Sequence, residues 1–117
     1  MVNIYLDDCR DAPEGFLLVK NAIDCQCMFS KYKSNVNILS LDHDLGENIE
    51  YIGTGYDVVK WLVYYFVMND DNYFPKQIYL HTVNPVGRQN MYEMLMRYKP
   101  DDVKVYNGPM VYEGYKL

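Results

Sequence analysis

An α/β domain built on a parallel sheet is the fold class this chain predicts, and three observations carry it. Apolar runs of strand length recur, Ile4-Tyr5-Leu6 and Ile38-Leu39-Ser40-Leu41 being the clearest. Runs of this kind, apolar at successive positions rather than alternating, read as strands buried on both faces of a parallel sheet. Helix-period segments separate them, so strands and helices alternate as right-handed crossovers require. At 117 residues, 50% of them hydrophobic, the chain suffices for one domain, residues 1–117, with one core, and is too short for two. The expected architecture is a small doubly wound sheet in a three-layer sandwich.

The first strand is Val2 to Leu6, and it runs directly into Asp7-Asp8. Arg10-Asp11-Ala12-Pro13-Glu14-Gly15 reads as a loop by its Pro, Gly and charges, so a helix after the first strand is absent or very short. Phe16 to Val19 is a second short strand. Asn21 then caps a helix to about Tyr32, with Ala22, Ile23, Cys27 and Met28 expected inside, and Ser34-Asn35 ends it. Val36 to Leu41 is apolar enough to be a central strand. The segment Gly46 to Gly55, with Glu47, Glu50, Gly53 and Thr54, predicts a flexible loop lying over the strand ends.

Gly55-Tyr56-Asp57 opens a long helix through Met68, with Val58, Leu62, Tyr65 and Phe66 spaced to pack on the sheet and Trp61 in the core. Asp57 suits the N-terminus of that helix through capping and the dipole. Asn69-Asp70-Asp71-Asn72 stops it. Gln77 to Thr82 is the fourth strand, Arg88 to Tyr98 the next helix with Met91, Met94 and Leu95 inside, and Val103 to Tyr106 the fifth strand before a turn at Asn107-Gly108-Pro109.

The bulk numbers exclude several classes. A formal charge of −5 and a pI near 4.8 argue against a protein that grips duplex DNA by neutralising many phosphates. A small phosphate ligand held by a local charge is compatible with them. The longest apolar stretch, Val58 to Met68, is interrupted by Lys60 and falls short of the roughly 20 residues that span a bilayer. No signal peptide is legible, and a cytoplasmic protein is expected. Cys9, Cys25 and Cys27 are odd in number and Cys25-Gln26-Cys27 has the wrong spacing for a zinc knuckle or redox pair, so reduced thiols with packing roles are expected. The 13 tyrosines could suggest base stacking, but their scatter reads as amphipathic residues at the core edge.

Chemistry concentrates where apolar runs end in acid. Asp7 and Asp8 follow the first strand, Asp42 and Asp44 the third, and in open α/β sheets ligands bind outside the carboxyl ends of the strands. Four like charges in one crevice repel unless a cation or proton offsets them, and a divalent metal is the simplest such cation. Hard oxygen ligands suit Mg²⁺, Mn²⁺ or Ca²⁺, with Asp7, Asp8 and Asp42 expected as the triad. His43 and His81 stand at the same edge and can ligate a metal or move protons; His81 is the better expected general acid or base. Thr82 and Asn84 can donate to phosphate oxygens, Gly87 near a helix start leaves amides for an anion, and Arg88 offers a fork suited to phosphate.

Taken together, Leu6-Asp7-Asp8-Cys9-Arg10, Ser40-Leu41-Asp42-His43-Asp44-Leu45-Gly46, Gly55-Tyr56-Asp57-Val58-Val59-Lys60-Trp61 and His81-Thr82-Val83-Asn84-Pro85-Val86-Gly87-Arg88-Gln89-Asn90-Met91 resemble the cyclic-phosphate-processing receiver domain family. The resemblance runs from Ile4 to about Tyr98. It implies a receiver-like, flavodoxin-like sheet of order 2-1-3-4-5 and a role on cyclic phosphates, at RNA ends or in nucleotide signals. Asp7, Asp8 and Asp42 match the acidic pair and phosphate-accepting Asp of phosphorelay receivers, and Thr82 resembles their hydroxyl residue. The Lys expected after strand 5 is replaced by Tyr106-Asn107-Gly108-Pro109, which speaks against a standard phosphoswitch.

His43, Asp44, His81, Asn84 and Arg88 are additions that a passive acceptor does not need and a phosphoesterase does. The expected function is therefore a phosphoesterase dependent on Mg²⁺ or Mn²⁺, acting on a small nucleotide or RNA end carrying a cyclic phosphate. Asp44 and His43 would complete or orient the metal shell, and covalent attack by Asp42 is an alternative route. Two other readings are a module that sequesters a phosphorylated ligand without turnover and an atypical phosphoacceptor receiver.

Overall fold

The computed structural model describes residues 1–46 and 53–110. Its elements are β1 (Val2–Leu6), β2 (Phe16–Val19), α1 (Ala22–Tyr32), a 3₁₀ turn at Lys33–Asn35, β3 (Val36–Leu41), α2 (Gly55–Met68), β4 (Gln77–Leu80), α3 (Pro85–Tyr98) and β5 (Lys104–Tyr106). The five strands form one sheet in the order β2-β1-β3-β4-β5 with every neighbouring pair parallel. This is the receiver-like α/β arrangement that the sequence predicts.

Register divides the sheet into two surfaces. Leu17, Ile4, Leu39, Ile78 and Val105 lie in one row across it, and Leu18, Tyr5, Ser40, Tyr79 and Tyr106 in the next. Because side chains alternate along a strand, the two rows point to opposite faces. Ile4, Leu6, Leu39, Leu41, Ile78 and Leu80 are fully buried and form one core with Ala22, Cys25 and Phe29 of α1, Val58, Val59 and Leu62 of α2, and Met91 and Leu95 of α3. The connections β2 to β3, β3 to β4 and β4 to β5 all cross the sheet in the same direction, so right-handed crossovers place their helices on the same face. In keeping with this, α1 packs on α2 and α2 on α3. The connection from β1 to β2 runs the other way and holds no helix. Among the described residues, therefore, one face carries all the helices, and the second helical layer of a three-layer sandwich is not found.

The caps explain the helix starts. Asn21 Oδ1 accepts from the Asp24 amide at 2.8 Å. Thr54 and Asp57 form a reciprocal capping box, with the Asp57 carboxylate accepting from the Thr54 amide at 2.8 Å, the structural role expected of Asp57. Asn84 caps α3 by accepting from the Gly87 amide at 3.0 Å. This α3 begins at Pro85 rather than Arg88, because Asn84 followed by Pro85 is an N-cap with Pro at N1.

Other expected boundaries and faces move for physical reasons. Strand β4 stops at Leu80 rather than Thr82, and β5 starts at Lys104 because the Val103 amide is held in a turn by the Pro100 carbonyl. On α1 the buried set is Ala22, Cys25 and Phe29, spaced i, i+3, i+7, which leaves Ile23 and Cys27 exposed instead of inside. All three thiols are free, and packing is the role of Cys25 alone, since Cys9 and Cys27 are exposed. Trp61 is partly buried at the core edge among Phe29, Tyr65 and Tyr73. No described helix is long and apolar enough to cross a membrane. The loop expected over the strand ends falls largely on residues 47–52, which lie outside the described residues.

Candidate functional site

The ends of three neighbouring strands bring Asp7, Asp42 and His81 together. Each residue follows the last position of its strand, and the parallel ladder continues one step to hold it: the Asp7 amide donates to Val19 O (3.0 Å), that of Asp42 to Leu6 O (2.9 Å) and that of His81 to Leu41 O (2.9 Å). One ligand atom from each of the three lies within 4.8 Å of the others, and all three residues are buried.

Asp7 is the centre of the network. Its Oδ1 accepts from the amides of Cys9 and Arg10, both at 2.9 Å, and its Oδ2 accepts from Arg10 Nη1 at 2.8 Å and His81 Nε2 at 3.0 Å. Four donors fill the carboxylate's acceptor sites. Burial alone would push its pKa up, but the Arg10 amide and guanidinium, the Cys9 amide and His81 outweigh burial and hold Asp7 below the usual range. Asp42 accepts from the His43 amide at 2.8 Å and from Arg10 Nη1 at 3.4 Å. A half-exposed guanidinium thus stands between two carboxylates, and the hydrogen bond to Asp7 raises its own pKa.

His81 is fixed on every side. Its ring stacks on Tyr5 with centroids 4.3 Å apart and planes 2° from parallel. With Nε2 donating to Asp7, Nδ1 is left to accept from the Ser40 hydroxyl at 2.7 Å. Burial lowers its pKa below the ordinary 6.5, overriding the attraction of Asp7. This sets a stability profile. Below about pH 6.5 the unfolded chain takes up a proton at this histidine that the folded one refuses, and below about pH 4 the same holds for Asp7, so both contributions are lost on acidification. In metal-free buffer the thermal midpoint is expected to start falling near pH 6.5 and to fall further below pH 4. In His81→Gln the first step should disappear, as a melting series in EDTA will read.

A second cluster flanks the first. His43 Nδ1 pairs with Asp44 Oδ1 at 2.9 Å, and Asn84 Nδ2 donates to both Asp44 oxygens at 3.3 and 3.2 Å. The hydrogen bond from His43 is the main cause that holds the Asp44 carboxyl below its usual range. The His43 ring lies against Gly87 in the first turn of α3, where a Cβ would overlap it. The Cγ, Cδ2 and Nδ1 side of the ring faces that glycine, so the imidazole is positioned from two sides.

Of the remaining expected site residues, Asp8 is half-buried and its charge, together with a hydrogen bond, raises the pKa of the exposed Cys9 thiol; it is not in the cluster of three. Buried Thr82 accepts from the Asn84 amide at 3.1 Å and so shapes the turn into α3. Asn84 both caps that helix and braces Asp44. Arg88 is partly buried in the first turn of α3, and its side chain has no hydrogen bond or ion pair among the described residues. Arg10 and Ser40 are not among the site residues expected from the sequence. For Arg10 a signal existed: a cation three residues after an Asp, in the loop that follows an acidic strand end.

The donor chemistry at the centre fits a divalent cation. Asp7 and Asp42 supply hard oxygens and Asp8 adjoins them, and the Arg10 guanidinium already shows that the space between the carboxylates accommodates positive charge. His81, donating to a carboxylate, is placed as an outer residue orienting a ligand. A family model described as cyclic-phosphate processing receiver domain matches residues 2–97. No curated protein and no solved structure matches the chain.

Proposed function

The chain belongs to the cyclic-phosphate processing receiver family, and we propose that it is a metal-dependent phosphoesterase that opens a cyclic phosphate on an RNA end or a small nucleotide. The observation that carries this reading is Arg10 Nη1 lying 2.8 Å from Asp7 and 3.4 Å from Asp42, an anion-binding fork inside a cation-binding pair of carboxylates. Asp7, Asp8 and Asp42 would hold Mg²⁺ or Mn²⁺, which when bound polarises phosphoryl oxygens and lowers the pKa of water.

The chain's own residues divide the remaining work. Arg10 is tethered beside the carboxylates and half-exposed, and its planar fork would pair with phosphate oxygens were a cation to hold Asp7 and Asp42 in its place. Arg88 and Asn84 extend that clamp from the start of α3. Ring opening forms one P–O bond to water and breaks one ring P–O bond; the water loses a proton and the departing sugar oxygen gains one. His43 takes the water's proton at Nε2, because Asp44 accepts from Nδ1 and fixes the tautomer. His81, enclosed by Tyr5, Ser40 and Asp7, orients Asp7.

The test is product analysis after incubation with Mg²⁺ or Mn²⁺ and a panel of 2′,3′-cyclic mononucleotides, RNA ends and cyclic dinucleotides. Linear product in excess of protein is the expected result. Recovery of one intact ligand per chain would show sequestration instead, and acetyl-phosphate labelling of Asp42 without turnover would show a phosphoacceptor. A Mn²⁺ titration adds a separate readout: binding should weaken about tenfold or more in Asp42→Asn, on the order of what disturbing a metal's ligand shell costs. An isotherm unchanged from wild type removes Asp42 from the ligand set.

A further inference from the structure

We propose that the edge of the sheet face opposite α1, α2 and α3, where Tyr79 and Tyr106 lie, is a stacking platform for the bases of a single-stranded RNA whose 3′ end enters the site. The proposal rests on the phosphoesterase reading above and specifies its substrate class as an RNA strand rather than a free nucleotide.

Register supplies the first argument. Residues of one parity along the strands share a face, and Asp7, Asp42 and His81 are two positions beyond Tyr5, Ser40 and Tyr79. The site thus shares a face with Tyr5, Ser40, Tyr79 and Tyr106, and of these Tyr5 and Ser40 are buried at the sheet centre while Tyr106 at the edge is exposed. Two residues along a strand span about 6.6 Å, so the Tyr79–Tyr106 pair of β4 and β5 lies one such step back from the strand ends that carry the site.

The chemistry of that surface supplies the second. Tyr79 and Tyr106 stack on each other with centroids 4.5 Å apart and planes 12° from parallel, and Tyr106 is 40% exposed. Two parallel rings at the sheet edge, the outer one exposed, offer a π face to a base, and base–aromatic stacking tolerates any sequence. One row further back come Asn3, Gln77 and exposed Lys104, hydrogen-bonding groups and a cation suited to base edges and a phosphate.

The occupant follows from charge and from the ester. Duplex bases cannot reach a sheet-borne ring, and a chain of net charge −5 draws little affinity from phosphate neutralisation. Single-stranded bases expose their π faces to stacking, which adds affinity without phosphate contacts. A 2′,3′-cyclic phosphate forms only on ribose, so a strand that carries one to the carboxylates is RNA.

The experiment is fluorescence anisotropy with a 5′-labelled RNA pentamer ending in a 2′,3′-cyclic phosphate, in EDTA so that binding is read without turnover. Tyr106→Ala is expected to weaken binding about tenfold or more, the effect of losing one stacked base. Tyr106→Trp should restore it. Tyr64→Ala, at a more exposed tyrosine on the helical side in α2, should leave it unchanged. The salt dependence should be shallow, far below the loss of about 10³-fold or more that many phosphate contacts give between 50 and 200 mM salt.

No binding of the pentamer, an unchanged affinity in a folded Tyr106→Ala, or an equal loss in Tyr64→Ala overturns the proposal; the second of these is also what a protein partner covering this face would give. Turnover of a cyclic mononucleotide in Mg²⁺ is measured alongside. Turnover without Tyr106-dependent binding leaves the esterase standing and removes the platform, whereas Tyr106-dependent binding without ring opening does the reverse.

Discussion

His43→Ala is expected to lower kcat on a cyclic phosphate by about 10²- to 10⁴-fold, the usual contribution of a general acid or base, with a smaller fall in thermal midpoint than His81→Ala gives. The ring is 17% exposed and held by Asp44 on one nitrogen, so its removal leaves no buried charge behind. Asp44→Asn keeps the ring and disturbs its tautomer, and should fall between wild type and His43→Ala with an altered pH profile for kcat. The contrasting variant is His81→Ala. It takes away the ring stacked on Tyr5 and a donor to buried Asp7, and is expected to cost about 3 kcal/mol of stability. Steady-state kinetics and thermal melts on the same samples separate the roles. Equal kcat in His43→Ala and wild type would take the proton-transfer role from His43.

Gly55→Ala is the second large effect, and it acts on the fold. A Cβ at this buried glycine would overlap the backbone carbonyl of Asp42 and crowd the Cα of His43, while the Gly55 amide donates to the His43 carbonyl at 2.9 Å. The neighbour is backbone, which cannot rotate aside as a side chain can, so the cost lies at the upper end of overpacking, about 3 kcal/mol. A fall in the thermal midpoint on the order of 10 °C or more follows for a domain of this size. Gly108→Ala, with nothing within 4 Å of its Cβ, is the matched control and should melt like wild type.

The strands were legible because a buried parallel strand is an uninterrupted apolar run, and the ends of β1 and β3 were legible because those runs stop at aspartate. Faces were harder to read. Ile23 is apolar yet 60% exposed, and nothing in its type distinguishes it from Ala22, since apolar residues are free to lie outside. The three Cys positions show the same limit. At the site, Asp7, Asp42 and His81 converge as strand-end residues must once the order of β1, β3 and β4 is known. The sequence could not show that His81 is enclosed and that His43 keeps an outward edge, because both stand within two residues of an apolar strand end. That difference depends on Tyr5 and Gly87, partners 76 and 44 positions away.

The loop that carries Arg10 also bears on the order in which this domain comes together. Asp7 meets Arg10 three residues along the chain, Arg10 meets Asp42 at a separation of 32, and His81 reaches Asp7 at a separation of 74. Loop-closure entropy grows with each of these spans. The guanidinium is therefore the one counter-charge within local reach when β1 first leaves water, neutralising a carboxylate that would otherwise resist desolvation. Arg10 acts in this sense as an intramolecular chaperone for the strand: a placeholder that lets the sheet close before the residues that complete its edge have arrived.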